Sequence, residues 1–580
     1  MLAAALLVFA AGLALAPMTE SDLFFRLAAG REILAHHAIP ARNLFSFTAP
    51  DFPDLDASWL FEVAAAGLYR AGGFPGVVIG KALCVVMIAA LAFHLCRRRG
   101  AAPVAAALAV AVALAVMQER LVERPHIFSF AGEIGVLLAL EHLESRAAAP
   151  PAPGRWRGLV AVPLGVALWA NLHAGAFVAP LLLLLYALGA VMDRRSALAG
   201  PAAGLALLSL GAMLATPLGA GIFRYLSLHV AIPRLHPVDE FRAASGESDG
   251  ALLVYATAVL VAAALVWRSG GGLRRILPVL GLAVLAARTI RFGADFALCA
   301  APLLAAAASP PGQRLVVLLP ERLRARGPSA LAALALIALA LGPRIAAARQ
   351  GGAFVDVDLD RSPLPLEAIR FVTDNGVRDR MYNDFEIGSY LAFEGYPRYR
   401  VFIDPRLPAY PAELHQLLGR ADLDRGEWDR AMDRYGVESA LLAYAGLNRR
   451  VSWWDPARWA LIYRQHDARV FVRRLPRWRA LIAAREIPAT FSFTVEEGTA
   501  TWPLDEPPPG SPVPACEWQR RLGDLLFELD DGKPARALAA YRRALAAPAG
   551  CLAPEDERAL RGWLDQGLGQ EPVRGGGQGF

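Results

Sequence analysis

The segment from Thr19 to Tyr69 decides how the rest of the chain is interpreted, and it reads TESDLFFRLAAGREILAHHAIPARNLFSFTAPDFPDLDASWLFEVAAAGLY. It is too polar to span a bilayer, yet hydrophobic runs lie on both sides of it. A charged and aromatic loop held at a membrane surface is where chemistry is expected first. Its charged residues include Asp22, Arg26, Arg31, Asp51, Asp54, Asp56 and Glu62.

The overall composition is that of a membrane protein. Of the 580 residues, 56% are hydrophobic and 19% are charged, against about 45–50% and about 25% in soluble domains. The net charge is +6, and only Lys81 and Lys533 among the 59 basic residues are lysines, so lysine-based catalysis is not expected. Basic residues of cytoplasmic loops account for much of the positive charge, and no nucleic-acid partner is expected.

The hydrophobic runs predict a bundle of about eleven transmembrane helices. Residues 1–17 are interpreted as a short first span, because a charged leader is missing and further spans follow; cleavage as a signal peptide is the alternative. The later runs lie at roughly 76–95, 101–117, 127–143, 159–173, 175–192, 197–215, 251–267, 276–290, 294–308 and 328–342.

Every second loop between these runs is basic, as cytoplasmic loops are. The positive-inside rule therefore predicts a cytoplasmic N-terminus, with Thr19–Tyr69 and the chain after about residue 343 on the outer side. We expect a multi-pass protein of the bacterial cytoplasmic membrane whose C-terminal part is exported. The arginines of the basic loops are Arg97, Arg98, Arg99, Arg146, Arg155, Arg157, Arg194, Arg195, Arg268, Arg274, Arg275, Arg314, Arg322, Arg324 and Arg326.

The fold predicted from these patterns is mainly α-helical. Residues 1–345, with a first outer loop at 18–75, are expected to form the bundle, and residues 346–475 an exported α/β domain. Residues 476–515 contain a proline-rich stretch and are interpreted as a linker. Residues 516–580 are expected to hold a tetratricopeptide-like helical hairpin, which favours docking to a partner protein over a repeat array, and a disordered tail. The strand-like runs of the α/β domain lie at 400–404, 439–444, 459–463 and 469–474.

Two of the five cysteines lie in the polar C-terminal region. Cys84, Cys96 and Cys299 lie in or beside hydrophobic runs, whereas Cys516 and Cys551 have no metal-ligating neighbours in the sequence. If this region is exported, a Cys516–Cys551 disulfide is expected, since oxidising compartments favour such pairs. Two unpaired thiols are the alternative.

Capping patterns in the first outer loop predict two helices and assign its acidic residues to them. Thr19 and Asp22 have the spacing of a capping pair, and the helix that they begin is expected to end near His36. A second helix is expected to begin with Asp56 as its N-cap and to carry Glu62. Two amphipathic helices would then present carboxylates toward the bundle. The alternative is that Asp22 and Asp56 only cap helices.

Further polar residues fall at the predicted outer turns. Ionisable groups at membrane depth are costly and are therefore candidates for function, although single arginines also serve as interfacial anchors. Carboxylates together with arginines suit a phosphorylated lipid and a sugar hydroxyl. The candidate substrate-binding residues are Arg26, Arg124, His126, Asn171, His173, Glu240, Arg288 and Arg291, and the fourth outer loop adds Arg224, His229, His236 and Asp239.

Motifs for other chemistries are missing from the sequence. It contains no P-loop, no G-x-S-x-G, no H-E-x-x-H and no dinucleotide fingerprint. The D-x-D tripeptide formed by Asp54 and Asp56 is too frequent to identify a transferase by itself. As carboxylates near a membrane-embedded cavity, however, these two residues are candidates for a general base or for binding a divalent cation such as Mg²⁺ or Mn²⁺.

Several stretches resemble the GT-C superfamily of membrane glycosyltransferases, which includes oligosaccharyltransferase catalytic subunits, and more closely uncharacterised bacterial proteins of this type. The resemblance covers roughly residues 1–475. The sequence differs from the usual pattern at Phe24, Ala174 and Phe241. The matching stretches are DLFFRLAAGREIL (22–34), IPARNLFSFT (39–48), DASWLFEV (56–63), WANLHAGAF (169–177), TPLG (216–219), YNDFEIGSYL (382–391) and VFIDPR (401–406).

The resemblance implies transfer of a sugar from a polyprenyl-phosphate donor to an acceptor outside the cytoplasmic membrane. It implies Asp22 as catalytic base or metal ligand, with Asp56 or Glu62 in second place, and it makes Asp22 and Asp56 the candidate metal ligands. A non-catalytic scaffold of an envelope polysaccharide system is the first alternative. A lipid-linked glycan transporter is the second, although the loops show no internal two-fold repeat.

Overall fold

The computed structural model describes residues 1–148, 157–231, 239–245, 248–317, 327–421, 424–443, 455–465, 468–494, 498–529 and 535–565. The chain forms two compact units. The membrane unit comprises Met1–Ala41 and Asp54–Asp360, and the C-terminal unit comprises Arg42–Pro53 and Arg361–Phe580. Several residues named above lie outside the described residues, namely Arg155, His236, Arg322, Arg324, Arg326, Lys533 and the predicted tail at 566–580.

The membrane unit is helical because its sequence consists largely of long alanine- and leucine-rich runs. In hydrocarbon every backbone N–H and C=O group must be bonded within the chain, which a helix achieves. The helices are α1 (Leu2–Ala14), α2 (Asp22–His36), α3 (Trp59–Arg98), α4 (Pro103–Val116), α5 (Ile127–Ala148), α6 (Ala161–Leu172), α7 (Val178–Met192), α8 (Ser196–Ala212), α9 (Gly221–Ala231), α10 (Gly250–Arg268), α11 (Leu273–Arg288), α12 (Gly293–Val317) and α13 (Gly327–Arg349).

Five helical segments of the described residues are long and apolar enough to cross a membrane. Shorter apolar helices accompany them, including α1, α4 and α8. The prediction of a helical, multi-pass membrane protein is confirmed, whereas the number of about eleven spans stays a prediction. The five segments are Trp59–Arg98, Ala174–Met192, Gly250–Arg268, Ile290–Pro310 and Gly327–Arg349.

The first outer loop begins with α2, which ends at His36 as expected. Helix α2 packs closely on the start of α3, since a Cβ atom at Gly30 would lie 2.1 Å from the Glu62 carbonyl oxygen. Glycine is therefore required at position 30. Helix α3 breaks at Gly72 and Gly73, where Gly73 has φ +62°, so the part that carries Glu62 is separate from the longer apolar part.

The C-terminal unit contains a four-stranded sheet in the order β1-β2-β4-β3, in which only β1 and β2 are parallel. Its strands are β1 (Met381–Asn383), β2 (Ser439–Ala443), β3 (Trp459–Gln465) and β4 (Ala468–Arg473), and β5 (Ala489–Thr494) pairs with β6 (Gly498–Pro503) in a separate hairpin. Its helices are α14 (Leu366–Asp374), α15 (Phe385–Gly395), α16 (Ala412–Ala421), α17 (Arg425–Arg434), α18 (Arg479–Arg485), α19 (Ala515–Leu529), α20 (Ala535–Leu545) and α21 (Pro554–Asp565).

Three of the four strand-like runs are strands, namely β2, β3 and β4. The fourth, at 400–404, is not a strand: Val401 forms only an isolated bridge to Ser46. Its partner comes from the first outer loop, whose residues Phe45 and Phe47 exchange backbone hydrogen bonds of 2.8 and 3.0 Å with Val401. Period-2 patterning could not reveal this, because the pairing is too short to repeat.

Polar groups hold the same loop inside the C-terminal unit. The Asn43 amide donates to the Ala409 carbonyl oxygen at 3.0 Å and accepts from Arg406 at 2.7 Å. Arg406 in turn makes a bidentate pair with buried Asp404, which also accepts from the Tyr410 hydroxyl at 2.8 Å. Packing within the C-terminal unit therefore explains residues 42–48 and 401–406 of the matching stretches.

The last helices form a small cluster of their own. Helices α19 and α20 pack against each other around buried Tyr541 and Leu522. The structure joins Cys516 and Cys551 in a disulfide, with their Cα atoms 6.1 Å apart. Residues 476–515, interpreted above as a linker, contain α18 and the β5–β6 hairpin.

Candidate functional site

The side chain of Arg124 is the centre of the polar cluster in the membrane unit. It lies in the loop before α5, and its three nitrogen atoms each face a different carboxylate. Nε lies 2.7 Å from Glu20, Nη2 lies 3.2 Å from Asp22, and Nη1 lies 3.0 Å from Glu240. One guanidinium thus gathers acids from the segment before α2, from α2 itself and from the loop before α10.

A buried ion pair holds the Arg124 loop in place. Lys81 on α3 contacts Glu123 with an Nζ–Oε1 distance of 2.7 Å, and both side chains are buried. Removing one partner of such a pair leaves an uncompensated buried charge. The only lysine in the membrane unit therefore has a clear structural role beside the site.

Asp22 is the predicted residue whose environment is most unusual for an acid. Burial raises the pKa of Asp22 to about 6, and the neighbouring carboxylate of Glu20 adds to this, although Arg124 opposes it. The predicted capping by Thr19 is wrong, because Ser21 is the N-cap of α2. Glu20 instead accepts the Asp22 backbone N–H at 3.0 Å. The Asp22 carboxylate is thus not needed to cap its own helix.

The pKa of Glu240 is shifted in the opposite direction from that of Asp22. Although burial opposes ionisation, Arg291, Arg120 and Arg124 hold the pKa of Glu240 down to about 2. Arg120 donates to Glu240 at 2.6 Å, and Arg291 lies 3.8 Å from it. The Arg291 guanidinium also stacks over the Phe241 ring at 4.6 Å. Glu240 is therefore a fixed negative charge that orders the arginines around it.

Asp56 and Glu62 form a second acidic group. Asp56 accepts the Ser58 backbone N–H at 2.7 Å, and Ser58 is the N-cap of α3, so the predicted N-cap at Asp56 is wrong. The carboxyl groups of Asp56 and Glu62 are in mutual contact. Glu62 also lies 3.5 Å from Arg26, whose guanidinium stacks over the Phe25 ring. An ionised carboxylate can only accept hydrogen bonds, so this contact supplies no hydrogen bond between two ionised groups. The buried Glu62 Oε2 atom has no hydrogen-bond donor among the described residues.

Two histidines lie beside the arginines. The Nε2 atom of His126 is 2.6 Å from the Arg120 carbonyl oxygen, and its Nδ1 atom is 3.4 Å from the Arg120 guanidinium. The rings of His126 and His173 have their centres 6.4 Å apart. Burial lowers the pKa of both histidines well below its ordinary value, and nearby arginines lower it further. Both side chains are therefore neutral imidazoles at neutral pH.

Two predicted residues have other surroundings. The Asn171 amide accepts from the Trp59 indole at 2.8 Å and donates to the carbonyl oxygens of Ala167 and Ala215 at 2.8 and 2.7 Å. These bonds tie the start of α3 to α6 and to the turn that follows α8, which is a positioning role. Arg288 is exposed at the end of α11 and makes no ion pair with the residues that the structure describes.

The carboxylates of the site differ in whether they could bind a divalent cation. Among the described residues, no group of three or more His, Cys, Asp or Glu side chains has metal-binding geometry. The Asp22 carboxylate faces Arg124, so it does not fit a metal in this arrangement. Asp56 and Glu62 do fit by chemistry, because hard cations take carboxylate oxygens and Glu62 Oε2 is buried without a partner.

Three residues of the site were missed by sequence analysis: Glu20, Arg120 and Ser129. Glu20 stands beside Asp22 but was overlooked because the capping pattern assigned Thr19. Arg120 follows Glu119, which has the opposite charge, so it does not stand out in the sequence. Ser129 carries no charge, and only its bond to His173, described below, distinguishes it.

Comparison with known proteins supports the fold. No protein-family model matches the chain, and no curated protein matches it by sequence. Among solved structures, the archaeal oligosaccharyltransferase AglB from Archaeoglobus fulgidus, in complex with an inhibitory peptide and a dolichol-phosphate, matches with a TM-score of 0.52. The identity is 11%, and the match covers 76% of this chain and 69% of that one.

Two further crystal structures of the Archaeoglobus fulgidus oligosaccharyltransferase match with a TM-score of 0.48 each, one with Zn and sulfate at 12% identity and one in the apo form at 10%. They cover 76% and 86% of this chain, and 67% and 74% of their own. The match to AglB, at a TM-score of 0.52, shows that the two chains have a similar fold. The resemblance stated from the sequence motifs is confirmed at the level of the fold.

Proposed function

We propose that the chain is a membrane glycosyltransferase that moves a sugar from a polyprenyl-phosphate-linked donor to an acceptor on the outer side of the bacterial cytoplasmic membrane. The AglB-like fold supports this, since that protein was solved with a dolichol-phosphate. The observation that carries the proposal is the convergence of Asp22, Glu20 and Glu240 on Arg124. Such a site combines Asp22, an acid that can gain or lose a proton near neutral pH, with the fixed positive charge of arginines.

Asp22 is the proposed general base. A carboxylate with a pKa of about 6 is a stronger base than an ordinary aspartate and is still ionised at neutral pH. It would take the proton of the acceptor hydroxyl as that oxygen attacks the anomeric carbon. The bond from this carbon to the phosphate oxygen breaks, and the polyprenyl phosphate leaves with the electron pair. Arg124 would orient Asp22 rather than bind the lipid, because three carboxylates occupy it.

The remaining cations are proposed to hold the leaving phosphate. Arg291 is the best placed, since its nearest carboxylate is 3.8 Å away, and Arg26 joins it through its loose 3.5 Å pair with Glu62. Arginine is well suited to phosphate because of its planar set of donors. His126 and His173 would contribute neutral groups to the same site. Arg288 is proposed to meet the lipid head group from its exposed position.

A divalent cation, Mg²⁺ or Mn²⁺, is proposed to bind at Asp56 and Glu62. When bound, it would neutralise charge that develops on the leaving phosphate. Titration calorimetry with Mn²⁺ tests this, with Asp56→Asn as the variant and Asp51→Asn as the matched control, because Asp51 is exposed and pairs with Arg42. Equal binding to both variants would contradict the assignment.

The experiment that tests the catalytic proposal is Asp22→Asn in the full-length protein. We expect transfer from a short-chain polyprenyl-phosphate hexose to fall about 10²–10⁴-fold, the contribution of one positioned base. Asp51→Asn is again the control and is expected to keep full activity. Full transfer by Asp22→Asn would refute the assignment of the base. Absence of donor binding in the unaltered protein would instead favour the non-catalytic scaffold.

The proposed orientation places the first outer loop and the C-terminal unit outside. The disulfide between Cys516 and Cys551 supports this, because such bonds persist in oxidising compartments. Labelling of single cysteines at exposed His37 and exposed Arg98 with a membrane-impermeant maleimide tests it. Position 37 is expected to react in intact cells, and position 98 only after the membrane is opened.

A further inference from the structure

A chain of hydrogen bonds ends on the Nδ1 atom of His173. The Trp169 indole N–H donates to the Ser129 hydroxyl oxygen at 2.9 Å. Ser129 Oγ lies 2.7 Å from His173 Nδ1. The Gly175 backbone N–H donates to the same Nδ1 atom at 3.2 Å. The chain therefore links α5, α6 and the short turn that follows α6 around a single ring nitrogen.

The donors in this chain fix where the protons lie. An indole N–H and a backbone N–H can only donate. Nδ1 must therefore be an unprotonated acceptor toward Gly175. Because Ser129 already accepts from Trp169, its own hydrogen is directed to His173. A neutral imidazole carries one ring proton, and here that proton must be on Nε2.

The surroundings of His173 keep it neutral. Burial lowers its pKa well below the ordinary value, and every charge that acts strongly on it has the same sign. The ring is therefore neutral over the physiological pH range, and the Nε2 atom makes no hydrogen bond to the residues that the structure describes. The groups that face His173 are Arg291 beside α12, Arg26 on α2, Arg120 before α5 and His229 on α9, together with the ring of His126.

The chain around these bonds leaves no room for a side chain. A Cβ atom at Gly175 would lie 2.5 Å from Ser129 Oγ and 2.6 Å from His173 Nδ1. A Cβ atom at Gly132 would lie 2.4 Å from the Trp169 ring. Glycine at these two positions lets the indole, the hydroxyl and the imidazole approach each other. The close approach of Gly175 to Nδ1 restricts the orientation of the His173 ring.

We propose that Ser129 is a positioning residue that holds His173 as a neutral Nε2–H donor for an anionic phosphate oxygen of the donor lipid. The inference rests on the proposed function for its ligand but not for its protonation state. Arg291 and Arg120 attract an anion to this place, and a neutral N–H adds direction without adding charge. The same arrangement excludes His173 as the general base, because its free nitrogen already carries the proton.

The protonation state is tested without any activity measurement. Full-length protein labelled with ¹⁵N-histidine in detergent is compared with His173→Gln to assign the His173 ring signals. We expect a protonated Nε2 and an unprotonated Nδ1 from about pH 6 to about pH 8. Ser129→Ala should add a population with the Nδ1–H form, and Ser129→Thr, which keeps the hydroxyl, should restore the original signals. A protonated Nδ1 or an imidazolium in the unaltered protein would overturn the proposal.

The role of the Nε2 proton is tested by binding of a short-chain polyprenyl phosphate. Glutamine at position 173 can place an amide N–H near the Nε2 position, whereas asparagine reaches only the Nδ1 position. We expect the dissociation constant to rise roughly tenfold or more in His173→Asn, and clearly less in His173→Gln. Equal weakening in both variants, with unchanged thermal stability, would refute the donor role. If the unaltered protein showed no transfer at all, the proposed function would be refuted. The proposed protonation state of His173 would still be decided by the ring signals.

Discussion

The membrane unit contains two ionic clusters of similar composition that lie before and within the last turns of α5. Around Arg124, one guanidinium is shared by three carboxylates. Around Glu144, one carboxylate is shared by Arg274, Arg275 and the Tyr186 hydroxyl. About 18 residues of helix separate them, or roughly 27 Å at 1.5 Å per residue.

The difference lies in how completely each acid is compensated by arginines. At the Glu144 cluster the carboxylates are fully paired, and Arg99 and Arg275 also share Glu141 at 2.7 and 3.2 Å. At the Arg124 cluster, Asp22 shares Arg124 with Glu20 and Glu240, and burial together with the charge of Glu20 raises the pKa of Asp22 to about 6. Satisfied ion pairs stabilise a helix bundle, whereas an under-compensated acid can exchange a proton near neutral pH.

The largest expected effect that separates the two clusters comes from removing one arginine from each. Arg124→Met should reduce transfer by about 10²-fold or more, because Asp22 loses the group that orients it. Arg275→Met should lower the melting temperature but leave the rate of the folded enzyme unchanged. Both rates are measured well below the melting temperature of each variant. Equal loss of transfer in the two variants would contradict the division into a reactive and a structural cluster.

The pH dependence of transfer sharpens the assignment of Asp22. Only the ionised base is active, so kcat/KM should fall as the pH drops through about 6. Glu20→Gln removes a negative charge that raises the pKa of Asp22, while its amide oxygen can still accept the Asp22 backbone N–H. The acid limb should therefore move to lower pH. Glu32→Gln, on the same helix and paired with His36, is the control and should leave the limb in place.

The smallest expected effect on transfer is that of Asp193→Asn at the structural cluster. Asp193 accepts the backbone N–H groups of Leu273 and Arg274 at 2.8 and 3.1 Å, at the start of α11. Loss of its negative charge at the start of this helix should cost roughly 0.3–1 kcal/mol of stability, with unchanged transfer. Thermal unfolding in detergent and the transfer assay measure the two quantities. A tenfold loss of transfer would show that this end of the bundle is coupled to the chemistry.

The pH dependence of stability at this position has a definite sign. Despite the opposing effect of burial, the two backbone donors and Arg274 hold the pKa of Asp193 below its ordinary value of 3.8. A carboxyl group with a lowered pKa stabilises the fold while it is ionised. The contribution is therefore present above about pH 4 and lost as the pH falls through the lowered pKa. Asp193→Asn should abolish this acid-dependent part of the unfolding curve.

The sequence predicted those features that local patterns encode. The extent of α2 follows from its apolar spacing and its end before Pro40, and β2 follows from a buried apolar run. Asp22, Arg124 and Glu240 were identified as charges at the outer ends of hydrophobic runs, and the structure brings all three together. The order of the hydrophobic runs was enough to predict that these three residues lie near each other, because residues at the same end of a bundle are close in space.

Features that depend on pairing between distant residues escaped the sequence analysis. Asn171 resembled a ligand-binding amide, yet its partners are Trp59 and two carbonyl groups that no periodicity connects. Ser129 is one of many serines until His173 is found 2.7 Å away. The N-caps are Ser21 and Ser58, and each lies two residues after the predicted cap, Thr19 or Asp56. Acidic residues near both helix starts fit more than one capping pattern, so the sequence did not single out the right residue.

The seating of the first outer loop in the C-terminal unit also has a consequence for biosynthesis. The Asn43 amide bonds to a carbonyl group 366 residues further along the chain. At about 5–20 residues per second, the ribosome supplies that partner roughly 20–70 s after Asn43 itself. Throughout this interval the aromatic residues Phe45 and Phe47 lack their native neighbours. A protein truncated before residue 401 would therefore carry a first outer loop that lacks its native partners.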